Sequence, residues 1–490
     1  MASLDLAVIA LYFLAMLGVG MWASRSQRSS SDYFLGARDL PAWGVLLSIV
    51  ATETSALTVI STPGIGARGD LTFLQLPIGY LVGRIAVAAW LLPGYFRGEQ
   101  ETAYQRLEAR FGVGTRRILS LVFLVTRFLG DSVRIFAGAI PLALLTGWSV
   151  PAAIAGMGVV TLGYTYVGGI KAVIWADVVQ LAIYLAGGVV ALFLAAEMAG
   201  GFGPAFAVAG EAGKLRILDF TPSLTIPYTF LGGVLGGAML SAASHGTDHL
   251  IVQRLLATRS LGDARRALIG SGVLVIAQFL LFLLVGTLIW AAGRAPDDMA
   301  GDQVFSRFVI EQFPSGLSGL VIAGILAAAM STLSSSINAL ASSLTHDWYA
   351  SLTGERDPVR LLRVGRLISL AWGVALVLGA LGFHAFASGN DTPVVVLALS
   401  VASVTYGALL GTYILSGAGS RIAGRDVITG AVATVVVMML TIFARRLAAG
   451  GLELLAPLGA LAWPWYVPMG TAITIGVAWL SALRRRGPTP

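Results

Sequence analysis

The sequence predicts an all-α polytopic membrane domain with about thirteen transmembrane helices, and three observations carry that reading. Of 490 residues, 57% are hydrophobic and only 12% charged, roughly half the charged share of a soluble domain. Apolar stretches of about 20 residues, the length that crosses a bilayer as a helix, recur from one end of the chain to the other. These stretches are continuous rather than alternating, which excludes a β-barrel. The 60 glycines suit close helix–helix contact in lipid. Cysteine is absent, which excludes disulfide scaffolds, cysteine-ligated zinc, iron–sulfur clusters and thiol catalysis.

In chain order the spans fall at 3–23, 42–66, 72–96, 116–146, 150–167, 173–198, 226–252, 266–293, 315–348, 365–386, 392–416, 426–444 and 458–483. The first is not a cleaved signal, because it lacks a basic start and Arg25 and Arg28 follow its apolar run. The whole of 1–490 reads as one membrane domain. Its net charge of +7 is explained by where the basic residues sit. Alternate loops hold 22 of the 32 Lys and Arg, Arg254 among them, the other loops hold seven, and Arg84, Arg127 and Arg134 lie inside spans. Basic loops stay on the cytoplasmic side, so the N-terminus is expected outside and the C-terminus in the cytoplasm. No nucleic acid is needed to account for the charge.

A polar residue inside a span is costly unless protein or water satisfies it, so each break in the apolar pattern is a site hypothesis. The second span runs through Thr52, Glu53, Thr54 and Ser55, with Thr58 about a turn further on. One reading is a polar face packed on neighbours, with Pro63 marking its outer end. The other is an unwound midpoint whose freed carbonyls bind a cation, and Glu53 in the same turn favours it. The seventh span is glycine-rich and then polar, from Gly232 to His249. These two spans open two five-helix sets, 42–198 and 226–416, leaving 3–23 and 426–483 as flanking helices. Broken helices at corresponding places in two halves predict an inverted repeat.

The ninth span carries Ser331, Ser334, Ser335, Asn338 and Ser342 on one helical face. Small hydroxylated residues are ordinary packing material between membrane helices. Five on one face beside a broken helix instead favour a hard cation held by oxygens, which suits Na⁺ and not a transition metal. In the sixth span, Asp177 reads either as a snorkelling carboxylate near the interface or as a charged ligand near the inner mouth. Arg127, Asp131 and Arg134 share a face of the fourth span, and Arg84 is a further buried cation. Ion pairing accounts for at least two of these charges. Because three arginines outnumber the one acid of the fourth span, one is a candidate to meet an anionic substrate. His245 and His249 share a face, but without the glutamate of a zinc hydrolase between them no metal is assigned. Residues 164–169 read as a turn between spans. No phosphate loop, Walker motif or Gly-x-Ser-x-Gly elbow is found.

Asp32-Tyr-Phe-Leu-Gly36, Ala51-Thr-Glu-Thr-Ser-Ala56 with Thr62-Pro63, Thr102 to Phe111, Tyr166 to Asp177, and the Ser/Thr run ending near Thr345-His-Asp-Trp-Tyr349 together resemble the sodium:solute symporter family. The resemblance runs from Asp32 through the eleventh span. It implies a leucine-transporter-like 5+5 inverted repeat with extra flanking helices. It also implies a sodium site between the second and ninth spans, using the carbonyls of Ala51, Thr54 and Ala328 and the hydroxyls of Ser331 and Thr332. Some relatives hold a second sodium, which here would use Asp177, Ser331, Ser334 and Ser335. Glu53 stands where the proline carriers have an aspartate. Gly130 stands where the sialic acid carriers have an arginine, with Arg127 and Arg134 a turn to either side. The substrate wall is expected to draw on Glu53, Ser55, Gln75, Arg84, Arg127, Arg134 and Tyr406.

The resulting expectation is a sodium-coupled secondary active symporter of the bacterial inner (plasma) membrane, importing a small polar organic solute, with a carboxylate as one candidate group, by alternating access. Its partners would be the solute, sodium ions and the lipid bilayer, with a single chain as the functional unit and no enzymatic step. A proton-coupled carrier, in which Glu53 or Asp177 titrates and the serines merely pack, is the nearest alternative. A solute-sensing module is a further alternative, against which the end at Pro490 without a cytoplasmic domain argues. No nucleophile–base set supports a membrane enzyme.

Overall fold

The computed structural model describes residues 3–24, 27–97, 100–387, 394–417 and 421–486. Arg25 and the first two residues of the predicted span 392–416 lie outside them. Among the described residues the chain is helical, without a named strand. The principal helices are α1 Ser3–Ser24, α2 Ala42–Glu53, α3 Ala56–Arg68, α4 Gln75–Ala86, α5 Val113–Thr146, α6 Val150–Met198, α7 Gly237–Gly246, α8 His249–Leu256, α9 Leu261–Ala291, α10 Leu317–Ser343, α11 Pro358–Ala387, α12 Val394–Ser416, α13 Gly424–Ala449 and α14 Tyr466–Arg486. Each predicted span is mostly helical over its described residues, with non-helical residues that include 54–55, 226–229, 247–248 and 461–462. Among the described residues, eight helices are long and apolar enough to cross a bilayer by themselves, and nine if the bent pair α2/α3 is one crossing.

Two helices break where hydroxyl and acidic side chains compete for the backbone. The α2 ladder ends at the bond from Thr54 N–H to Val50 O, 3.0 Å, and the Thr54 hydroxyl bonds the same carbonyl at 2.8 Å. Such bonds offer the chain an alternative to the next helical turn. Thr54 and Ser55 are extended, the Ser55 side chain caps α3 at Thr58 N–H, and the helix resumes at an angle of 66°. The sequence placed the interruption at Thr52–Ser55; Pro63 lies inside α3 and not at its end. The seventh span breaks at Thr247 and Asp248, where the Asp248 carboxylate accepts from Leu250 N–H at 2.9 Å and starts α8.

The predicted turn at 164–169 is instead helical except for one residue. Gly169 has φ +54° and ψ −153° inside α6. A straight helix of 49 residues would be about 70 Å long, more than twice the hydrocarbon thickness, so this kink is what divides α6 into two crossings. Only glycine takes that conformation without strain.

The centre of the molecule is α10, every residue of which is buried from Val321 to Ser343; it carries no charged side chain, and its hydroxyl stripe is turned to neighbouring helices. Its start is capped by another helix: the Asp5 carboxylate of α1 accepts from Gly316 N–H at 2.7 Å, Gly319 N–H at 2.9 Å and the Ser318 hydroxyl at 2.8 Å. A carboxylate there meets the positive end of the helix dipole. Beyond the first break, α3 lies directly on α9. A Cβ on Gly286 would collide with the Pro63 carbonyl, and one on Gly66 with the Leu283 carbonyl, so the two backbones touch.

Candidate functional site

The break in α2/α3 strips the carbonyls of Ala51 to Thr54 of their helical partners, since the last four carbonyls of a helix have none within it. Ala51, Thr54, Ala328, Ser331 and Thr332 are all buried. The Thr332 hydroxyl donates to the Ala328 carbonyl at 3.2 Å, setting those two oxygens side by side. The Ser331 hydroxyl donates its proton to Asp177 at 2.6 Å, which leaves its lone pairs free to accept a cation. The Thr54 hydroxyl donates to Val50 O and accepts from the Gln278 amide at 2.7 Å, so the group Thr54 can offer an ion is its carbonyl. An all-oxygen, uncharged donor set of this kind fits Na⁺.

Asp177 is fully buried in the protein and does not snorkel. Its carboxylate accepts from the hydroxyls of Ser48 at 2.5 Å, Ser331 at 2.6 Å and Thr52 at 3.3 Å. Its fourth partner was not foreseen: Arg254 of α8 reaches it at 3.1 Å, bonds Ser48 at 2.9 Å, and also bonds the Ser335 hydroxyl. Arg254 was assigned to a loop. It is completely buried because α8 carries the helix past the point where the apolar pattern stops. Two of the residues named for a second sodium, Asp177 and Ser335, are therefore bonded to a guanidinium, and the Ser334 hydroxyl turns to the Ser331 carbonyl of its own helix at 3.1 Å.

The rest of the hydroxyl stripe docks α8 onto α10. His249 Nε2 meets Ser342 at 3.1 Å, and the Gln253 amide donates to Asn338 at 2.7 Å. Ser335, Asn338 and Ser342 thus follow the packing reading, while Ser331 and Thr332 lie beside the break.

A cavity of about 370 Å³ opens at the break, lined by Glu53, Ser55, Thr58, Ser61, Thr62, Ser241, Ser244, His245, Arg127, Arg134 and Tyr406 with Phe73, Tyr80, Tyr228, Phe279 and Trp463. Two of the expected substrate residues are absent from its wall. Gln75 is consumed in holding a loop: its amide donates to Tyr228 O at 2.9 Å and Thr72 O at 3.1 Å, and its carbonyl accepts from Asp219 N–H at 3.0 Å. Arg84 is completely buried behind Glu53, to which it is ion-paired, and bonds Ser271 at 2.6 Å. Ser55 is on the wall but spends its oxygen as the α3 cap.

The candidate surplus of arginine is not found. Arg84 is paired with Glu53, and Arg127 with Asp248 of the second broken helix and, at 3.5 Å, with Asp131. The Tyr406 hydroxyl accepts from Arg127 at 2.9 Å. Three arginines thus face three carboxylates, two of which come from other spans. Arg134 is the most open of the three. Its side chain is 25% exposed and its ion pair is with Asp131 at 3.1 Å, whose carboxylate also accepts from Ser336 at 2.5 Å. A Cβ at Gly130 would meet nothing within 4 Å, so the strip between Arg127 and Arg134 is open.

The sequence model of the Sodium:solute symporter family matches residues 33–433. The human Sodium/iodide cotransporter is 31% identical over 428 residues, 84% of this chain and 65% of its own length. This chain therefore spans about two thirds of that relative. The Sodium/sialic acid symporter SiaT of Proteus mirabilis (strain HI4320) is 29% identical over 394 residues, 77% of this chain and 78% of that one. Among solved structures, a Na⁺-coupled sialic acid symporter in a substrate-bound, outward-open state superposes with a TM-score of 0.84 at 25% identity, covering 99% of this chain and 98% of the other. Mhp1, a nucleobase-cation-symport-1 transporter, superposes with a TM-score of 0.57 at 14% identity over 94% and 95%, which speaks to fold alone. The fold is the leucine-transporter-like one that the paired broken helices call for, and the chain belongs to the Sodium:solute symporter family.

Proposed function

We propose that this chain is a sodium-driven importer of a small polar organic solute that binds in the cavity beside the α2/α3 break. The observation that carries this reading is a polar cavity opening at a broken membrane helix, with Thr52, Glu53 and Ser55 of the break in its wall, and the ion is taken to sit on the uncharged oxygens of Ala51, Thr54, Ala328, Ser331 and Thr332. An ion held there ties the broken helix to α10 and favours whichever state keeps the cavity formed, which is differential affinity for one conformation. The repeats are taken as 42–198 and 226–416, in the bacterial inner membrane with the N-terminus outside, and a single chain suffices for one pathway.

With the partners behind the wall counted, Arg84, Arg127 and Arg134 are balanced by Glu53, Asp248 and Asp131, so the substrate is selected by hydroxyl, aromatic and local charge contacts rather than by a net field. A carboxylate would be met by Arg134, whose partner Asp131 is shared. One sodium per cycle is favoured, because Arg254 already bonds Asp177 and Ser335 of the second set.

The test is thermal unfolding of detergent-purified protein with K⁺ replaced by Na⁺ at constant ionic strength. Ligand binding to the folded state alone raises stability by RT ln(1 + [L]/Kd), so a saturating, Na⁺-selective rise is expected. Labelled neutral polyols, monocarboxylates and zwitterions would then be screened for Na⁺-gradient-driven uptake in proteoliposomes. Stability that ignores Na⁺ and follows pH would transfer the reading to proton coupling.

A further inference from the structure

The Thr54 carbonyl belongs to a residue held from three sides. Thr54 sits at the break with φ −82° and ψ 105°, a conformation that no helical bond maintains on its C-terminal side. Its hydroxyl donates to Val50 O at 2.8 Å and accepts from the Gln278 amide of α9 at 2.7 Å. The Gln278 carbonyl accepts in turn from the Tyr184 hydroxyl of α6 at 3.1 Å. Gln278, Tyr184 and Thr54 are all buried, and each bond of the relay lies away from competing water. The helix that supplies Gln278 is the one whose backbone touches α3 at Gly66 and Gly286. One element therefore holds both the non-helical residue and the helix that follows it.

We propose that Gln278, aligned by Tyr184, is a positioning residue for the sodium site: it fixes Thr54 so that its main-chain oxygen points at the ion. Gln278 does not touch the ion, and acts through the Thr54 hydroxyl. This rests on sodium binding at the break, as proposed above. Partners that orient a metal's ligands typically contribute about 10- to 100-fold to its affinity, and a neutral amide acting on one of five ligands belongs at the lower end.

The test uses NaCl alone as the ligand and needs no transported solute. Melting temperature is measured across a Na⁺ titration, balanced with K⁺, for wild type, Gln278→Leu, Thr54→Val and the double variant. Thr54→Val keeps the carbonyl and removes the hydroxyl that Gln278 holds. A purely structural role would lower the melting temperature in K⁺ and leave the half-saturating Na⁺ concentration alone. The expected result is a half-saturating concentration about tenfold higher in each single variant, with no further rise in the double variant, because both remove the same bond. Tyr184→Phe should shift it in the same direction by less, and carries the test if Gln278→Leu does not fold. Unchanged Na⁺ affinity in Gln278→Leu, or in Thr54→Val together with Tyr184→Phe, overturns the inference, as do fully additive shifts. A wild-type protein that is indifferent to Na⁺ overturns the sodium reading itself, a different outcome from a wild type that responds and a variant that responds equally.

Discussion

Arg254 Nη2 stands 3.1 Å from Asp177 Oδ2, and neither side chain has any exposed surface. The pair joins α8 to α6 and is surrounded by Ser48, Thr52, Ser331 and Ser335. Removing one member of a buried pair leaves the other charge uncompensated, which typically costs about 3–5 kcal/mol. Asp177→Asn and Arg254→Gln should each lower the melting temperature sharply, and the double variant should recover part of the loss. Losses that simply add in the double variant would show that the two charges are not coupled. Because the guanidinium already bonds Asp177 and Ser335 of the second set, Na⁺ stabilisation should titrate with a Hill coefficient near one. A value near two would mean that sodium displaces Arg254.

Ser331→Ala with Thr332→Ala should abolish the Na⁺-selective rise in melting temperature while the protein still folds in K⁺. Both hydroxyls lie beside the break, and deleting them removes two of the five proposed donors. Retention of the full sodium response would remove α10 from the site.

Arg134→Gln leaves the ion pairs of Arg84 and Arg127 in place and takes the most open cation from the cavity. For a carboxylated substrate found in the uptake screen, a charge-assisted hydrogen bond contributes about 1.5–3 kcal/mol, so the apparent affinity should fall by roughly 10- to 100-fold. Uptake of neutral solutes should hardly change. An unaltered carboxylate affinity would place the anion elsewhere.

Asp5→Ala uncaps α10 from a distance of more than 300 residues along the chain. Loss of a helix cap typically costs about 0.5–2 kcal/mol. The variant should melt at a lower temperature in both Na⁺ and K⁺, with an unchanged half-saturating Na⁺ concentration. A changed sodium affinity would mean that the α10 start and the site near Ser331 move together.

The sequence by itself determined the helical stretches and the two broken helices. Each leaves a local mark, because lipid offers no partner for a stray polar group and the interruption must be written into the span that contains it. Thr52 to Ser55 and the Gly232–His249 segment are visible for that reason. What only the tertiary structure decided is how the charges and hydroxyls are shared. Arg254 was read as a loop cation and is the counter-ion of Asp177. One of Arg84, Arg127 and Arg134 is a candidate for a free cation in the sequence, and Arg127 meets Asp248, 121 residues away. Gln75 was expected in the cavity and holds a loop, while Gln278, in an otherwise apolar span, holds the break. A hydrogen bond between distant spans leaves no periodicity in either of them. It depends on which faces the packed helices turn to one another, and only the folded chain brings those faces within 3 Å.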